Sequence, residues 1–297
     1  MNGILCMNKP QQFTSFDVIG KLRGILHRKR LGHTGTLDPM ATGVLPVLVG
    51  TATKACDILP NQDKTYRAAV QFGRATDTLD IWGTLMQQYP DMHVTEEQLR
   101  AVLPDFVGEI TQLPPMYSAV SVNGKRLYEL ARKGETIERP SRMVTVYDIT
   151  LEAFDEVQQT AVLTVACGKG TYIRTLLSDI GQRLGGDAVM TALTRTAACG
   201  YSLAQCLTFE QVAAAMEDGT IADKLLPTDS LFSAYPKLYL NAAQERMFCN
   251  GVKLDLTRLH RIQAEQDCYT VYGPQNGFLG TAFADREKQE LRIGKRF

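Results

Sequence analysis

Apolar and polar positions change period several times along the chain, and the changes mark its elements. Residues 2–7 form a short apolar run stopped by Lys9-Pro10, which predicts a strand and a turn. Val18, Ile19, Leu22, Ile25 and Leu26 then recur at helical spacing. Ser15 is the expected N-cap of that helix, with Asp17 in its first turn, and the helix delivers Arg28, Lys29 and Arg30 at its C-terminal end. Over 65–74, Tyr66, Ala68, Val70 and Phe72 alternate with Arg67, Ala69 and Gln71, the pattern of a half-buried strand. Thr95 with Gln98 and Thr208 with Gln211 have capping-box spacing and predict helices over about 96–107 and 209–217. Residues 160–167, TAVLTVAC, read as a strand. The period then turns helical at Ile173, Leu176, Leu177, Ile180 and Leu184, and Gly185-Gly186 stops it.

Strands and helices mix without a strict βαβ rhythm, so the expected class is α+β, built on a mixed sheet. Residues 225–236 carry two prolines and read as a linker. Short apolar segments beyond it, broken by Asn250-Gly251, Gly273-Pro274 and Asn276-Gly277, predict a small β domain over 235–297.

Charge is informative only locally. Lys and Arg total 32, as do Asp and Glu. Between Asp17 and Asp38, however, there is no acidic residue, and Lys21, Arg23, Arg28, Lys29 and Arg30 fall there beside His27 and His33. Such a stripe fits a polyanion, and it fits a solvated helix face equally well. Seven scattered cysteines without a CxxC pair suggest reduced thiols in a cytoplasmic protein. The four histidines lack metal-ligand spacing, and no apolar run is long enough to span a bilayer, so neither a metal nor a membrane partner is expected.

Candidate chemistry concentrates in residues 32–43, GHTGTLDPMATG. Pro39 pushes Asp38 out of helical backbone space, and Gly32, Gly35 and Gly43 permit tight turns and close approach of a ligand. A carboxylate held there beside cations suits a nucleophile or a general acid/base; an Asx turn is the plainer alternative. GKGTY at 168–172 has the wrong order for a phosphate-binding loop, and no GxGxxG follows a strand, so no nucleotide cofactor is called for.

Five blocks in order give a sharper reading. NKPQQFTSFDVIGKLR, LGHTGTLDPMATGVLPVLVGTATK, DKTYRAAVQFGRATDTLDIWG, QLPPMYSAVSVNGKRLYELARKGE and CGKGTYIRTLLSDIGQRLG together resemble the bacterial tRNA pseudouridine synthase B (TruB) family over roughly residues 2–200. The resemblance implies the pseudouridine synthase fold, a mixed and mainly antiparallel sheet with flanking helices, over 1–230. It also implies a mobile RNA-gripping insertion at 113–140 and a PUA-like RNA-binding domain at 235–297. The implied reaction is isomerisation of uridine 55 in the T-arm of tRNA. The implied enzyme is a stand-alone monomer with no guide RNA, no cofactor and no metal. Asp38 would be the catalytic nucleophile or base. Tyr66 would stack on the base and take part in proton movement, and Arg174 would pair with Asp38. His33 would help flip the nucleotide, and Lys54, Tyr172 and Leu193 would contact the substrate. Arg28, Lys29, Arg30, Lys125 and Arg126, with Arg132 and Lys133, would meet the RNA backbone. A non-catalytic RNA binder on the same fold is the competing class; it has no need for Asp38, Tyr66 and Arg174 together.

Overall fold

The structure is a computed structural model, which describes residues 1–297 apart from Ala119, Asn123 and Ala264. Two of these three lie in the expected RNA-gripping stretch, and that part of the expectation falls outside the described residues.

Continuous buried runs within Gly3–Lys9 and Thr42–Val49 and alternating ones over Lys64–Phe72 and Thr160–Cys167 build a nine-stranded mixed sheet. Its strands are β1 (Gly3–Lys9), β2 (Leu31–His33), β3 (Thr42–Val49), β4 (Lys64–Phe72), β5 (Gly108–Gln112), β6 (Arg142–Asp155), β7 (Thr160–Cys167), β8 (Ala188–Ala198) and β9 (Tyr201–Ser202). The order is β1-β3-β8-β4-β7-β6-β5, with β2 on β3 and β9 on β8. The pairings are antiparallel apart from β3 with β8, which brings Thr42 beside Thr194 and Gly43 beside Arg195. On β4 the alternation is as expected: Tyr66, Ala68, Val70 and Phe72 are buried. One core lies between the sheet and α4 (Ile173–Arg183), whose Ile173, Leu176, Leu177 and Ile180 are buried against β4, β7 and β8. A second lies under α1 (Ser15–Leu26) and α5 (Phe209–Glu217).

The capping boxes at Thr95 and Thr208 are both present. The first opens α2 (Glu96–Val102), shorter than expected because Pro104 turns the chain into a 3₁₀ segment, Leu103–Phe106. At α1 the cap is Thr14, not Ser15: Thr14 Oγ1 accepts from the Asp17 N–H (3.0 Å) while Asp17 accepts from the Thr14 N–H (2.8 Å). Only Thr14 has an acidic residue three positions on to close that reciprocal pair. The helix ends at Leu26 because His27 takes a left-handed backbone, φ 49°. Arg28, Lys29 and Arg30 therefore follow the helix in an exposed connection instead of riding its last turn.

In the insertion, a ribbon of Ser121–Val122 with Lys125–Arg126 precedes α3 (Leu127–Ala131). Lys125 and Arg126 are exposed, while Leu127 and Leu130 are buried. The C-terminal sheet has five strands, β10 (Lys237–Tyr239), β11 (Leu254–Asp255), β12 (Cys268–Gly273), β13 (Gly277–Asp285) and β14 (Glu290–Arg296), in the order β10-β12-β13-β14-β11. It also carries α6 (Ala242–Cys249), which the strand-dominated pattern does not predict. The stretch 225–236 is no loose linker. Leu226 exchanges backbone hydrogen bonds with Ile4, and Phe232 is fully buried against Tyr235, Phe278 and Phe297.

Gly43 is a tight point of the nine-stranded sheet. Its φ is +104°, and a Cβ there would stand 2.2 Å from the Arg195 carbonyl oxygen. Gly43→Ala is expected to cost about 2–6 kcal/mol, summing backbone strain and overpacking. Gly24→Ala, in open space on α1, is expected to gain about 0.5–1 kcal/mol. Urea midpoints of the two variants against the parent check this; equal effects would refute it.

On α4, burial and the nearby Asp187 push the carboxyl of Asp179 up to about 6 from 3.8. Between those values the folded chain holds the extra proton, so stability falls as pH rises from about 4 to 6, and the penalty is complete above 6. Asp179→Asn is expected to raise the melting temperature at pH 7.5 and to give no gain at pH 3.5. A gain independent of pH would contradict this.

Candidate active site

The loop between β2 and β3 presents Asp38, and its backbone is held at nearly every residue. Arg195, fully buried on β8, donates from its guanidinium to the carbonyls of Gly35 (3.1 Å), Thr36 (3.4 Å) and, on β3, Val44 (2.7 Å). The Leu37 N–H donates to Ser15 Oγ (2.9 Å), so the residue expected to cap α1 instead ties that helix to the loop. Asp38 O accepts from the Ala41 N–H (3.1 Å). Lys9, also fully buried, donates to the carbonyls of Pro39 (3.0 Å), Pro10 (2.9 Å) and Phe13 (2.6 Å). Burial pushes this ammonium down to about 8.

The Asp38 carboxylate meets Arg174, on the first turn of α4. Nε donates to Oδ2 (2.9 Å) and Nη2 to Oδ1 (3.3 Å), a two-pronged pair. The remaining donors reach the carbonyls of Thr78 (2.8 Å) and Tyr117 (2.9 Å), and Asp80 stands 3.9 Å away. The pair is asymmetric in burial: the Arg174 side chain is 5 % exposed, that of Asp38 39 %. The cation is thus fixed within the protein, and the anion faces open space.

That space is a cavity of about 300 Å³, lined by Asp38, Tyr66, Tyr172, Arg174 and Leu193 among others. Tyr66 and Leu193 come from adjacent strands, with Leu193 paired to Ala68 and Arg195 to Tyr66. Burial pushes the Tyr66 phenol up to about 12. At pH 7 only about one molecule in 10⁵ would carry the phenolate, so Tyr66 serves as an apolar wall and a donor far more readily than as a base. Tyr172 precedes α4. Its N–H donates to Gln112 Oε1 (3.0 Å) and its carbonyl accepts from Gln112 Nε2 (3.3 Å), so a buried amide on β5 brackets the residue.

Comparison with known proteins places this arrangement. The model of the TruB family pseudouridylate synthase N-terminal domain matches residues 23–173, and that of the tRNA pseudouridylate synthase B C-terminal domain matches 174–233. The tRNA pseudouridine synthase B of Bacillus cytotoxicus is 41 % identical over 284 residues, covering 94 % of this chain and 91 % of the relative. That of Acaryochloris marina is 44 % identical over 286 residues, covering 94 % of each. The chain belongs to the TruB family. Its reaction class is therefore isomerisation, that of a pseudouridine synthase. The fold is shared with the crystal structure of a Cbf5-Nop10-Gar1 complex, at a TM-score of 0.75 and 23 % identity, covering 99 % of this chain and 84 % of that one.

Not every expected residue reaches the cavity of this TruB-family chain. His33 stands at the end of β2, edge-on to the exposed Phe16 with ring centroids 5.7 Å apart. Burial first, and the charge of Arg195 second, hold its imidazole below the usual histidine range. Lys54 is placed elsewhere: from the 3₁₀ segment Gly50–Ala55 that follows β3, its ammonium donates to the Arg296 carbonyl (2.7 Å) on the C-terminal sheet. Arg28, Lys29 and Arg30 are exposed beside β2; Arg30 donates to Thr53 Oγ1 (2.7 Å).

Lys9, Gln112 and Arg195, which hold the backbone around the site, and Lys64, which lines the cavity, carry no local sequence motif that marks them. Lys64 lines the cavity two residues before Tyr66. The alternation of β4 was a usable signal for it, since positions two apart share a face.

Proposed function

We propose that the chain isomerises uridine 55 in the T-arm of tRNA to pseudouridine, as a stand-alone enzyme without guide RNA or cofactor. The carrying observation is the Asp38 carboxylate, forked by a buried Arg174 and facing a cavity walled by Tyr66, Tyr172 and Leu193. The tRNA substrate follows the names of the relatives, and the insertion with its basic ribbon supports the guide-free form.

The reaction breaks the N1–C1′ bond and joins C5 to C1′. N1 gains a proton and C5 loses one, so atoms balance and no electrons are exchanged. Asp38 either attacks C1′ and is later displaced, or removes a sugar proton and returns it. Tyr66, Tyr172 and Leu193 hold the freed ring while it turns. A target stacked in the T-arm is flipped out first, at a cost of a few kcal/mol. His33, neutral and backed by Phe16, braces the space it leaves. Arg28, Lys29, Arg30, Lys125 and Arg126 hold phosphates, and residues 235–297 act as a PUA-like RNA-binding domain.

The test is single-turnover conversion of unmodified tRNA in a chelator, beside binding affinity. Asp38→Asn is expected to lose about 10⁴-fold or more in rate, the scale seen when an acting nucleophile or base is removed, with binding kept. Arg174→Lys is expected to be severely slowed, since a point charge cannot reproduce the fork. Near-normal turnover by Asp38→Asn would overturn the assignment, and so would a strict need for guide RNA.

Salt dependence reads the grip on phosphates. Replacing Arg28, Lys29 and Arg30 by Ala is expected to flatten the log–log salt slope of binding by about 0.7–0.9 for each phosphate no longer held. An unchanged slope would mean that these side chains face only solvent.

A further inference from the structure

We propose that Lys64 is a catalytic residue: its ammonium donates to a carbonyl oxygen of the uracil ring and stabilises the ring as the N1–C1′ bond breaks. This rests on the reading of the site given above and adds a group that stabilises the leaving base.

Both routes open to Asp38 have one demand in common. The uracil departs with the bonding pair, and its negative charge spreads over N1 and the two carbonyl oxygens. A donor placed where charge develops, in a site shielded from water, is among the strongest catalytic devices available. The cations near the cavity differ sharply in whether they have donors to spare. Arg174 is committed to Asp38, Thr78 and Tyr117. Arg195 is fully buried and committed to three carbonyls. Lys169 lines the cavity but is exposed and solvated.

Among the described residues, Lys64 alone combines a place in the cavity with partial burial and unused donors. It begins β4, on the face that also carries Tyr66. Its stem passes beneath Gly35, where a Cβ would stand 3.5 Å from Cε, so the ammonium lies close to the loop that presents Asp38. Again among the described residues, its ammonium has one hydrogen-bond partner, the carbonyl of Gln62, and no carboxylate within ion-pair distance. An ammonium carries three donors, which leaves two. Its strand neighbours are Cys167 on β7 and Ala198 on β8, neither of which offers a strong acceptor. Burial and Arg195 lower its affinity for a proton, while Cys199, Cys167 and Asp63 oppose that shift. A cation so placed gains most when an anion forms beside it.

Lys64→Met keeps the length of the stem and removes the charge. It is expected to slow single-turnover conversion of tRNA by about 10²–10³-fold, the range for loss of one such donor, with the dissociation constant within about twofold. The discriminating measurement repeats the assay on RNA with 5-fluorouridine at the target, following the rearranged nucleoside by chromatography after digestion. Fluorine makes the ring a better leaving group, so the variant's loss there is expected to be at least about tenfold smaller. Lys64→Gln carries the same comparison should Lys64→Met fail to fold. Conversion within about threefold of the parent overturns the proposal. So does an equal loss on both substrates, which marks a structural role, or a rate loss matched by weaker binding, which marks a phosphate anchor. A parent that leaves uridine in tRNA unchanged overturns the functional reading, and this inference with it; an active parent beside an unaffected variant overturns this inference alone.

Discussion

A buried guanidinium satisfied by main-chain carbonyls holds the site together. Taking Arg195 out of water costs several kcal/mol unless its donors find partners, and among the described residues no carboxylate lies within ion-pair reach of it. The carbonyls it uses belong to Gly35, Thr36 and Val44, so the loop and strand β3 must lie where Arg195 can reach them. Lys9 applies the same logic from the other side, at Pro39. Two cations that cannot be left unpaired thus fix the backbone on either side of Asp38. The carboxylate inherits that rigidity without being buried itself.

A division of labour among positive charges follows. Deeply buried cations are committed to the backbone or to Asp38, and Arg28, Lys29, Arg30, Lys125 and Arg126 are exposed. The half-buried ammonium of Lys64 stands between these groups. The same burial constrains Tyr66. A phenol raised to about 12 stays protonated near neutral pH and is a poor proton acceptor.

Much of this was legible in the sequence, where the signal was local. Alternation on β4, the capping boxes at Thr95 and Thr208 and the Gly185-Gly186 stop are all carried by residues within a few positions. The loop carrying Asp38 stood out for the same reason. What escaped was set by distant partners. Thr14 and Ser15 are both competent caps, and the choice is settled by Asp17 and by Leu37, 22 residues away from Ser15. The basic run 28–30 could be read, but not the left-handed turn at His27 that frees it from the helix. Arg195 and Lys9 look like ordinary surface charges in a one-dimensional reading, because only the tertiary fold reveals that carbonyls replace their water. Lys54 reads as a substrate contact until the C-terminal sheet takes up its ammonium.

The parallel pairing of β3 with β8 has a consequence for how the chain matures. β1 and β2 both precede β3 and can pair with it early, but the end of its far edge at Thr42 and Gly43, beyond the stretch that β2 covers, stays open until β8 arrives, with Thr194 following Thr42 by 152 residues. During synthesis from the N-terminus, that edge and the uncapped carbonyls of the Asp38 loop wait for one late segment that brings Arg195 to both. Closure of the sheet and completion of the site are then a single event. A chain made only as far as β7 lacks both the strand that joins β3 to β4 and the guanidinium that holds the Asp38 loop.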